Sequence, residues 1–295
     1  MSLANQYNVN ESSIRKHLKK NGITVFNNQS VIQRKFSAND FYFDEIDSEE
    51  KAYFLGFLYA DGYNHEELNG VHINLQAPDK YILERFNVMI GSNRPLLFLD
   101  ITSKYPNRQN IYRFSVFNKR ISQRLAQLGC YQRKSLTLKF PGEDIIRPDL
   151  LRHFIRGHFD GDGSFYKTCA NAKDRYGNHY VATTYRVCIT SSEFYCRRLR
   201  DILIEKLGVK CYYAQKNTKS VNPIADIRMQ GKYAFIFLDW VYEGATIFLH
   251  RKHDAYIRLK PEYFAMLKKP RAKRKSVHAY PLKNNPTFVC PGPPI

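Results

Sequence analysis

Hydrophobic and polar residues alternate along two stretches of the chain. In the first stretch, Val71, Ile73 and Leu75 occupy every second position, and polar residues lie between them. Residues 184–190 alternate in the same way. A period of two places the apolar side chains on one face, so each stretch predicts a β-strand with one buried and one polar face.

The same series of elements follows each of these strands. A segment with apolar residues at helical spacing comes next, and it closes at Gly91 in the first series and at Gly208 in the second. A glycine in this place is typical of a helix end. Two more strands and a last helix complete each series. The predicted segments are helix 81–86, strands 94–102 and 111–117 and helix 119–128, and then helix 198–203, strands 209–216 and 224–229 and helix 231–242.

A short motif occurs twice, once before each series. Residues 52–63 read AYFLGFLYADGY and residues 152–165 read RHFIRGHFDGDGSF, with Asp162 lying 101 residues after Asp61. We therefore predict an α+β fold of two pseudo-symmetric αββαββα halves around a shared site. Aligning the copies pairs Gly56 with Gly157, Ala60 with Gly161, and Gly62 with Gly163.

Both motif copies predict helices that pack against each other. Asp47 is the candidate cap of the first helix, with Glu50 as its capping-box partner, and Pro148 suits the first turn of the second. Both helices are predicted to end at the motif glycine, Gly62 or Gly163. Small residues four positions apart would let the two backbones approach closely. These packing positions are Gly56, Ala60, Gly157 and Gly161.

The motif aspartates are the candidate catalytic groups. Asp61 and Asp162 each fall in the last helical turn, where the helix dipole disfavours a carboxylate by about 0.3–1 kcal/mol. Packing the helices side by side would also bring the carboxylates together, and without a cation one would be driven towards protonation. Hard oxygen ligands favour Mg²⁺ over zinc. One Asp-Gly pair alone would indicate only a turn, but two matched copies favour the functional interpretation.

The charge of the chain indicates a polyanionic partner. Its 295 residues carry 46 Lys and Arg against 27 Asp and Glu, a formal net charge of +19. Residues 250–295 hold eleven Lys and Arg against two acids, and residues 1–36 hold six against one. With Tyr and Phe interleaved, this excess favours nucleic acid over an ordinary soluble surface. Paired carboxylates in such a protein suggest metal-assisted phosphodiester hydrolysis.

Several other classes of protein are not expected from this sequence. No apolar run approaches the roughly 20 residues that a membrane span needs, and the first residues lack a secretory pattern. The six cysteines form no C-x-x-C pair, which argues against structural zinc and a disulfide framework. We expect reduced thiols in a cytoplasmic protein without membrane contact.

The two motif copies resemble those of the LAGLIDADG (dodecapeptide, or DOD-type) homing endonucleases with two motifs in one chain. The matching segments are residues 54–62, FLGFLYADG, and residues 155–163, IRGHFDGDG. The resemblance implies a monomer whose saddle-shaped antiparallel sheets lie on double-stranded DNA. It also implies site-specific cleavage of both strands at a long site, with two or more Mg²⁺ ions for which Mn²⁺ is expected to substitute.

The resemblance also assigns the metal-binding residues. The family's catalytic aspartate, the eighth motif residue, corresponds to Asp61 and Asp162. Ala60 and Gly161, which precede these aspartates, are assigned to the metal site as well.

Two further positions are less symmetric between the halves. Lys134 and Lys252 match the basic residue that organises active-site water in each half, and an ordinary phosphate-contacting or solvated lysine is the alternative. The sixth motif residue is Asp160 in the second copy and Tyr59 in the first. This position therefore cannot be an essential ligand in both halves.

Polar side chains on the sheet faces are the candidate DNA contacts, because base edges are read by groups that alternate along a strand. A solvated strand face is the alternative for any single position. The candidates are His72, Asn74, Gln76, Arg113, Ser115, Lys167, Arg186, Lys210, Lys216 and Arg228.

Residues 2–23 resemble the last two helices of a helix-turn-helix module, with a turn at residues 7–9 and Asn10 as a helix cap. An amphipathic arm without a DNA contact is the alternative. The side chains that would contact DNA are Ser12, Ser13, Arg15, Lys16 and Lys19.

These patterns divide the chain into five segments and lead to one preferred function. A site-specific DNA endonuclease is favoured, because both motif aspartates are present. The alternatives are an intron RNA maturase or an inactive DNA-binding regulator on the same fold, and a nicking variant. The segments are the partial helix-turn-helix-like arm 1–23, a linker 24–46, the halves 47–146 and 147–268, and a basic, proline-rich tail 269–295 that we predict to be disordered.

Overall fold

The computed structural model describes residues 10–21, 36–216 and 223–268. Outside its two halves lies helix α1 (Glu11–Lys20). The first half contains α2 (Glu49–Asp61), β1 (Gly62–Asn64), β2 (Val71–Gln76), α3 (Lys80–Met89), β3 (Leu97–Leu99), β4 (Ile111–Val116) and α4 (Lys119–Gln127). The second contains α5 (Leu151–Asp162), β5 (Gly163–Lys173), β6 (His179–Ser192), α6 (Glu193–Leu207), β7 (Tyr212–Gln215), β8 (Ile224–Gln230), α7 (Lys232–Tyr242) and α8 (His250–Lys268).

Each half forms a four-stranded antiparallel sheet with the same strand order. The first sheet runs β1-β2-β4-β3 and the second runs β5-β6-β8-β7. In the first sheet Val71, Ile73 and Leu75 are buried, while the residues between them lie on the other face. The predicted α+β fold of two αββαββα halves is confirmed.

Helices α2 and α5 join the halves at the centre of the molecule. A Cβ atom added to Gly56 would collide with the carbonyl oxygen of Phe154, and one added to Gly157 would collide with that of Tyr53. Residues 52–59 of α2 are all buried, as expected for a helix that is apolar on every side. The glycines therefore serve the close approach of two backbones, as the spacing of small residues predicts.

The ends of the two motif helices differ partly from the prediction. The cap of α2 is Ser48, whose hydroxyl accepts the Lys51 N–H at 3.3 Å, and Asp47 instead forms an ion pair with Lys51 at 2.9 Å. Pro148 lies before α5, which begins only at Leu151. A serine binds the same backbone donors as an aspartate, so the local pattern did not distinguish the two neighbours.

Both helices end at the motif glycine, as predicted. Gly62 and Gly163 have φ angles of −74° and −80°, so neither adopts the left-handed conformation of a usual glycine stop. A Cβ atom at Gly62 would collide with Leu58, and one at Gly163 with Phe159. Glycine is therefore required at both positions because there is no room for a side chain. Gly208, which ends α6, does have a positive φ of +60°.

Two parts of the body differ from the predicted organisation. Residues 36–46, the second part of the predicted linker, pack on the first half, where Tyr42 and Phe43 are buried and contact the ring of Phe86. The acidic residues of this segment led to the prediction of a linker, but its aromatic side chains are buried against the first half. Helix α8 was not predicted, and it packs against β5 and α7.

The ends of the chain are described only in part. Within α1, the side chain of Asn10 accepts the Ser12 N–H at 3.0 Å, consistent with its predicted role as a cap. Ser13 and Lys16 are exposed on this helix. The predicted turn at residues 7–9, the side chains of Arg15 and Lys19, and the tail 269–295 lie outside the described residues.

Within the described part of the chain, none of the helices combines the length and the apolar character that a bilayer crossing requires.

Candidate active site

The two motif aspartates occupy equivalent places, one in each half. Asp61 is the last residue of α2 and Asp162 the last residue of α5, so a strand begins directly after each. Both side chains are exposed. They are also close together, because a Cβ atom added to Gly161 would lie 3.1 Å from Oδ2 of Asp61. The helix packing therefore brings one solvent-accessible carboxylate from each half to a shared site.

The electrostatics of the site raise the pKa of both carboxylates. Desolvation by the neighbouring protein and the negative charge of Asp61 together raise the pKa of Asp162 to about 6. Desolvation also raises the pKa of Asp61. Lys252 opposes the shift at Asp61 more than Lys134 does, whereas Lys134 is the stronger of the two at Asp162. Each aspartate is thus affected more by the lysine of the opposite half than by the lysine of its own half.

Lys134 lies beneath the end of α2. It is buried, and its Nζ donates to the carbonyl oxygen of Gly62 at 2.7 Å, with the carbonyl oxygen of Ala60 at 3.5 Å. It sits in a short 3₁₀ turn (Lys134–Leu136) that follows Arg133, a residue with a φ of +52°. The structure therefore places the predicted lysine of the first half at the motif.

Lys252 lies beneath the end of α5 in the matching position. Its Nζ donates to the carbonyl oxygens of Phe159 and Asp160, both at 2.6 Å, of Gly161 at 3.2 Å and of Gly163 at 2.5 Å. Burial lowers the pKa of this ammonium group to about 8. Both predicted lysines are thus brought to the paired helix ends, and both bind backbone carbonyl groups there.

Asp160, the sixth residue of the second motif, is buried and hydrogen-bonded within the protein core. Its carboxylate is fully buried and accepts the hydroxyl of Tyr53 at 2.9 Å, the hydroxyl of Tyr242 at 3.0 Å and the N–H of Leu249 at 2.8 Å. Because Tyr53 belongs to α2, this carboxylate links the two motif helices. Its counterpart Tyr59 is also buried and donates to a backbone carbonyl of its own half.

The side chains at the helix ends fit a hard divalent cation. Across residues 10–21, 36–216 and 223–268, no group of three or more His, Cys, Asp and Glu side chains could hold a metal ion. Zinc sites use three or four protein ligands, whereas Mg²⁺ is commonly held by one or two carboxylates together with water and substrate phosphates. Asp61 and Asp162 supply two such carboxylates. The carbonyl oxygens of Ala60 and Gly161 keep capacity to accept, since each has two lone pairs.

The candidate DNA-contacting side chains of the first half lie together on the polar face of its sheet. Arg113 pairs with Asn74 across the strands, and its Nε donates to the amide oxygen of Asn74 at 2.8 Å. His72 lies beside Ser115 on this face, with Gln76 further along β2. Ring nitrogens of His72 and His65 lie 3.2 Å apart. Burial and the nearby Arg113 lower the pKa of His72 to about 4, so this histidine is neutral.

The polar face of the second sheet is organised by a buried carboxylate that the sequence analysis missed. Asp226 on β8 accepts from Nζ of Lys216 at 3.0 Å, from Nη2 of Arg228 at 2.8 Å and from the hydroxyl of Thr190 at 2.6 Å. Its position two residues before Arg228 on an alternating strand was the available signal. Arg186 lies on the same face, while Lys210 is exposed just before β7.

The prediction for Lys167 is wrong. This residue pairs with the buried Tyr185 across the strands, which places it on the helix-covered face of the sheet. There it forms an ion pair with Glu262 of α8. Because the predicted series did not include α8, no carboxylate on the covered side was expected.

Comparisons with known proteins give matches to solved structures alone. No family model and no curated protein matches the chain. The chain is similar to the structure of the I-LtrWI LAGLIDADG homing endonuclease bound to target DNA, with 13% identity over 78% of this chain and 92% of that chain and a TM-score of 0.48. For the meganuclease I-SmaMI bound to uncleaveable DNA with a TTCT central four, the identity is 12%, the coverages are 74% and 91%, and the TM-score is 0.48. For the LAGLIDADG meganuclease I-AabMI bound to uncleaved DNA, the identity is 10%, the coverages are 74% and 91%, and the TM-score is 0.49. The chain is thus similar to solved LAGLIDADG homing endonucleases, and its two αββαββα halves, joined at paired motif helices, form the architecture that the sequence resemblance implies.

Proposed function

We propose that this protein is a site-specific DNA endonuclease that hydrolyses one phosphodiester bond in each strand of a long recognition site, with a divalent metal ion. One observation carries the proposal: two exposed carboxylates, one from each half, meet where closely packed helices end and the sheets begin. A structural protein would gain nothing from two like charges in this position, which costs stability.

The residues of the chain have distinct roles in this proposal. Asp61 and Asp162 would hold Mg²⁺, and a bound Mg²⁺ would supply polarisation of the scissile phosphates and a lowered pKa for an attacking water. Lys134 and Lys252 add positive charge beneath the aspartates. The polar faces of both sheets bind the duplex on either side of the site, where Arg113, Arg186 and other polar side chains meet phosphates or base edges.

The two-sheet arrangement supports a long site and a monomeric enzyme. Each sheet presents its own polar face, and the two faces carry different side chains. A site read in this way need not be palindromic, unlike the site of a symmetric dimer. Because both aspartates belong to one chain, no second copy is needed to complete the catalytic pair.

The test begins with a pool of duplexes that have a randomised centre. Duplexes bound by the purified protein are enriched through successive rounds, and the enriched duplex is then incubated with Mg²⁺ or with Mn²⁺. We expect the wild type to cut both strands, while Asp61→Asn and Asp162→Asn bind the duplex and lose double-strand cleavage by at least about 100-fold.

Each other outcome has a definite meaning. An enriched duplex that the wild type leaves intact with both metals would establish a DNA-binding regulator on this fold instead. Undiminished cutting by either asparagine variant would overturn the assignment of the aspartates. Failure to enrich any DNA sequence would overturn specific DNA recognition. Enrichment of one sequence from an RNA pool in the same selection would then favour the maturase alternative.

A further inference from the structure

An open cavity of about 560 Å³ lies where β4 leads into α4, and none of its walls belongs to the motif helices. The walls come from three segments of the chain, which begin at residues 36, 92 and 115. Ser115 lies beside His72 on the polar face of the first sheet, and the rings of Phe117 and His65 are in contact, with 5.5 Å between their centroids. The cavity is therefore continuous with the face that is proposed to bind DNA.

The guanidinium group of Arg94 lies against two aromatic rings in this cavity. Its Cζ atom is 4.9 Å from the ring centroid of Phe36 and 4.7 Å from that of Phe117. The rings displace water from the group without offering it an oxygen acceptor. Arg94 is half-buried and desolvation lowers its pKa, although an arginine side chain stays charged at neutral pH.

No acceptor for this guanidinium group is found within residues 10–21, 36–216 and 223–268. The hydrogen bonds of Arg94 there belong to its backbone, whose N–H donates to the Ser92 hydroxyl at 3.2 Å and whose carbonyl oxygen accepts the Asn87 amide at 2.9 Å. A charged group that is partly removed from water without an acceptor costs stability. The planar fork of an arginine fits two oxygens of a phosphate group, which would supply both the opposite charge and the acceptors.

A second arginine in the same cavity is neutralised by the protein. Arg120 lies over the ring of Phe41 at 4.3 Å, but it also forms an ion pair with Asp44 at 2.6 Å. The described part of the chain thus provides a carboxylate for one of the two ring-stacked arginines and none for Arg94. Because both arginines have aromatic contacts, Arg120 is a matched control for Arg94.

The remaining charges around the cavity also favour an anion. Asp40 lines the cavity, and its carboxylate accepts a side-chain amide N–H at 2.5 Å. Lys119 lines the cavity as well and is exposed. With the paired Arg120 and Asp44 set aside, Arg94 and Lys119 exceed the charge of Asp40 by one. An anion in the cavity would be attracted by this excess, because salt screens charges little at distances below the Debye length of about 10 Å.

We propose that Arg94 forms a phosphate-binding site at the edge of the first sheet, and that this site holds a backbone phosphate of duplex DNA outside the bases that the sheet reads. This inference rests on the DNA binding of the proposed function and is independent of cleavage. Phe36, in the segment that the sequence predicted as a linker, forms one wall of the site. A phosphate contact carries no information about sequence, so Arg94 adds affinity for every duplex alike.

The first test measures duplex binding by fluorescence anisotropy across a salt series. Arg94→Met keeps an unbranched side chain against the rings and removes the charge and the N–H donors. We expect it to weaken binding of the enriched and of an unrelated duplex by a similar factor, about tenfold. The slope of log affinity against log salt should become shallower by about 0.9, because one phosphate contact is lost. Arg120→Met should weaken binding by no more than about threefold and leave the slope unchanged, since an exposed ion pair contributes little.

Two results of this test would overturn the proposal. One is a salt slope for Arg94→Met equal to that of the wild type, or a decrease that Arg120→Met reproduces. The other is weaker binding of the enriched duplex alone, which would assign Arg94 to the reading of bases.

The second test needs no DNA and uses inorganic phosphate as the probe. Melting temperatures are measured in phosphate and in chloride at equal ionic strength. We expect phosphate to stabilise the wild type and Arg120→Met more than Arg94→Met, and equal stabilisation of all three would overturn the anion site. Stabilisation that depends on Arg94, together with an unchanged salt slope for duplex binding, would assign the site to a free phosphate-bearing ligand and overturn the role in DNA binding. If the wild type binds no duplex, the proposed function fails along with that role, while the phosphate measurement still decides whether Arg94 binds an anion.

Discussion

At the scale of single residues, the aspartate pair would make the proposed metal binding depend on pH. The pKa of Asp162 is raised to about 6, so this carboxylate is protonated below that pH and a cation must displace the proton. We expect the Mg²⁺ affinity, measured by titration calorimetry, to fall by up to about tenfold for each pH unit below 6. Between pH 7 and 8 it should change little. Asp162→Asn should bind weakly and with a smaller dependence on pH, and a wild-type affinity that is constant from pH 5 to 7 would contradict the shift.

His158 is a second residue whose environment makes a prediction. Its ring is fully buried in α5 and stacks on Tyr195 at 4.2 Å, and neither ring nitrogen has a hydrogen-bond partner among the described residues. Desolvation, helped by Lys134 and Lys252, lowers the pKa of His158 to about 3. The folded protein therefore holds a neutral histidine that the unfolded chain would protonate below about pH 6.5.

The effect of His158 on stability follows from this difference. As the pH falls from about 6.5 towards 3, the unfolded state gains a proton that the folded state cannot take, which costs up to about 1.4 kcal/mol per pH unit. His158→Phe keeps a ring against Tyr195 and removes two unsatisfied nitrogens. We expect this variant to be at least as stable at pH 7.5, and its advantage in free energy of unfolding should grow at pH 5. Denaturant titrations at the two pH values measure this, and an advantage that stays constant would contradict a neutral buried histidine.

At the scale of elements, the packing of α2 against α5 depends on two glycines. An alanine in a helix is usually more stabilising than a glycine, by about 0.5–1 kcal/mol. Gly157→Ala should instead destabilise the protein by about 1–3 kcal/mol or more, because the added Cβ would collide with the carbonyl of Tyr53 in the other helix.

A matched control separates this collision from the loss of backbone freedom. Gly208 has a φ of +60° and no atom within 4 Å of an added Cβ, so Gly208→Ala costs only the left-handed strain of about 1–2 kcal/mol. Thermal unfolding should show that Gly208→Ala is folded, and the cleavage assay on the enriched duplex should show that it still cuts. For Gly157→Ala we also expect loss of cleavage, because the spacing of Asp61 and Asp162 depends on the helix packing. A gain in stability from Gly157→Ala would show that the backbones do not approach closely.

The elements also show what local sequence could predict. Alternation and helical spacing identified both sheets and the helices on them, because each half repeats one pattern and one face of each element is apolar. The environment of Arg156 could not be found in this way. This arginine is fully buried, pairs with Glu49 at 2.6 Å and donates to the carbonyl of Val241 at 2.9 Å. Its partners lie in two other helices, so only the tertiary structure explains a charge inside a motif helix.

The site could likewise be predicted in part. The doubled Asp-Gly motif located Asp61 and Asp162, because the repeat itself carries the signal. Sequence could not show how Lys134 and Lys252 are bonded, since this depends on the carbonyl oxygens that folding brings around each Nζ. Asp226 was missed although Arg228 follows it on the same strand, because its other cation, Lys216, lies beyond the end of β7.

At the scale of the whole molecule, the positive charge of the chain ends is separated along the sequence from the sheet faces that are proposed to read DNA. Residues 1–35 carry six Lys and Arg against one acid, and residues 269–295 carry six with no acid, so these ends hold more than half of the net charge of +19. The polar sheet faces lie entirely between them. Charges at the ends can add to the attraction for any duplex, whereas discrimination between sequences depends on side chains placed on a rigid sheet.

Removing both ends therefore has a specific expected result. A variant limited to residues 36–268 should bind an unrelated duplex more weakly, and the slope of log affinity against log salt should become shallower by about 0.9 for each phosphate that the variant no longer neutralises. Its ratio of affinities for the enriched and the unrelated duplex should stay within about threefold of the wild type, since removing a bond to a base edge would cost about 1–3 kcal/mol. Fluorescence anisotropy across a salt series measures both quantities. A collapse of this ratio with an unchanged salt slope would assign sequence reading to the ends, and the helix α1 would then be the first element to test by substitution, because its exposed Ser13 and Lys16 could reach base edges.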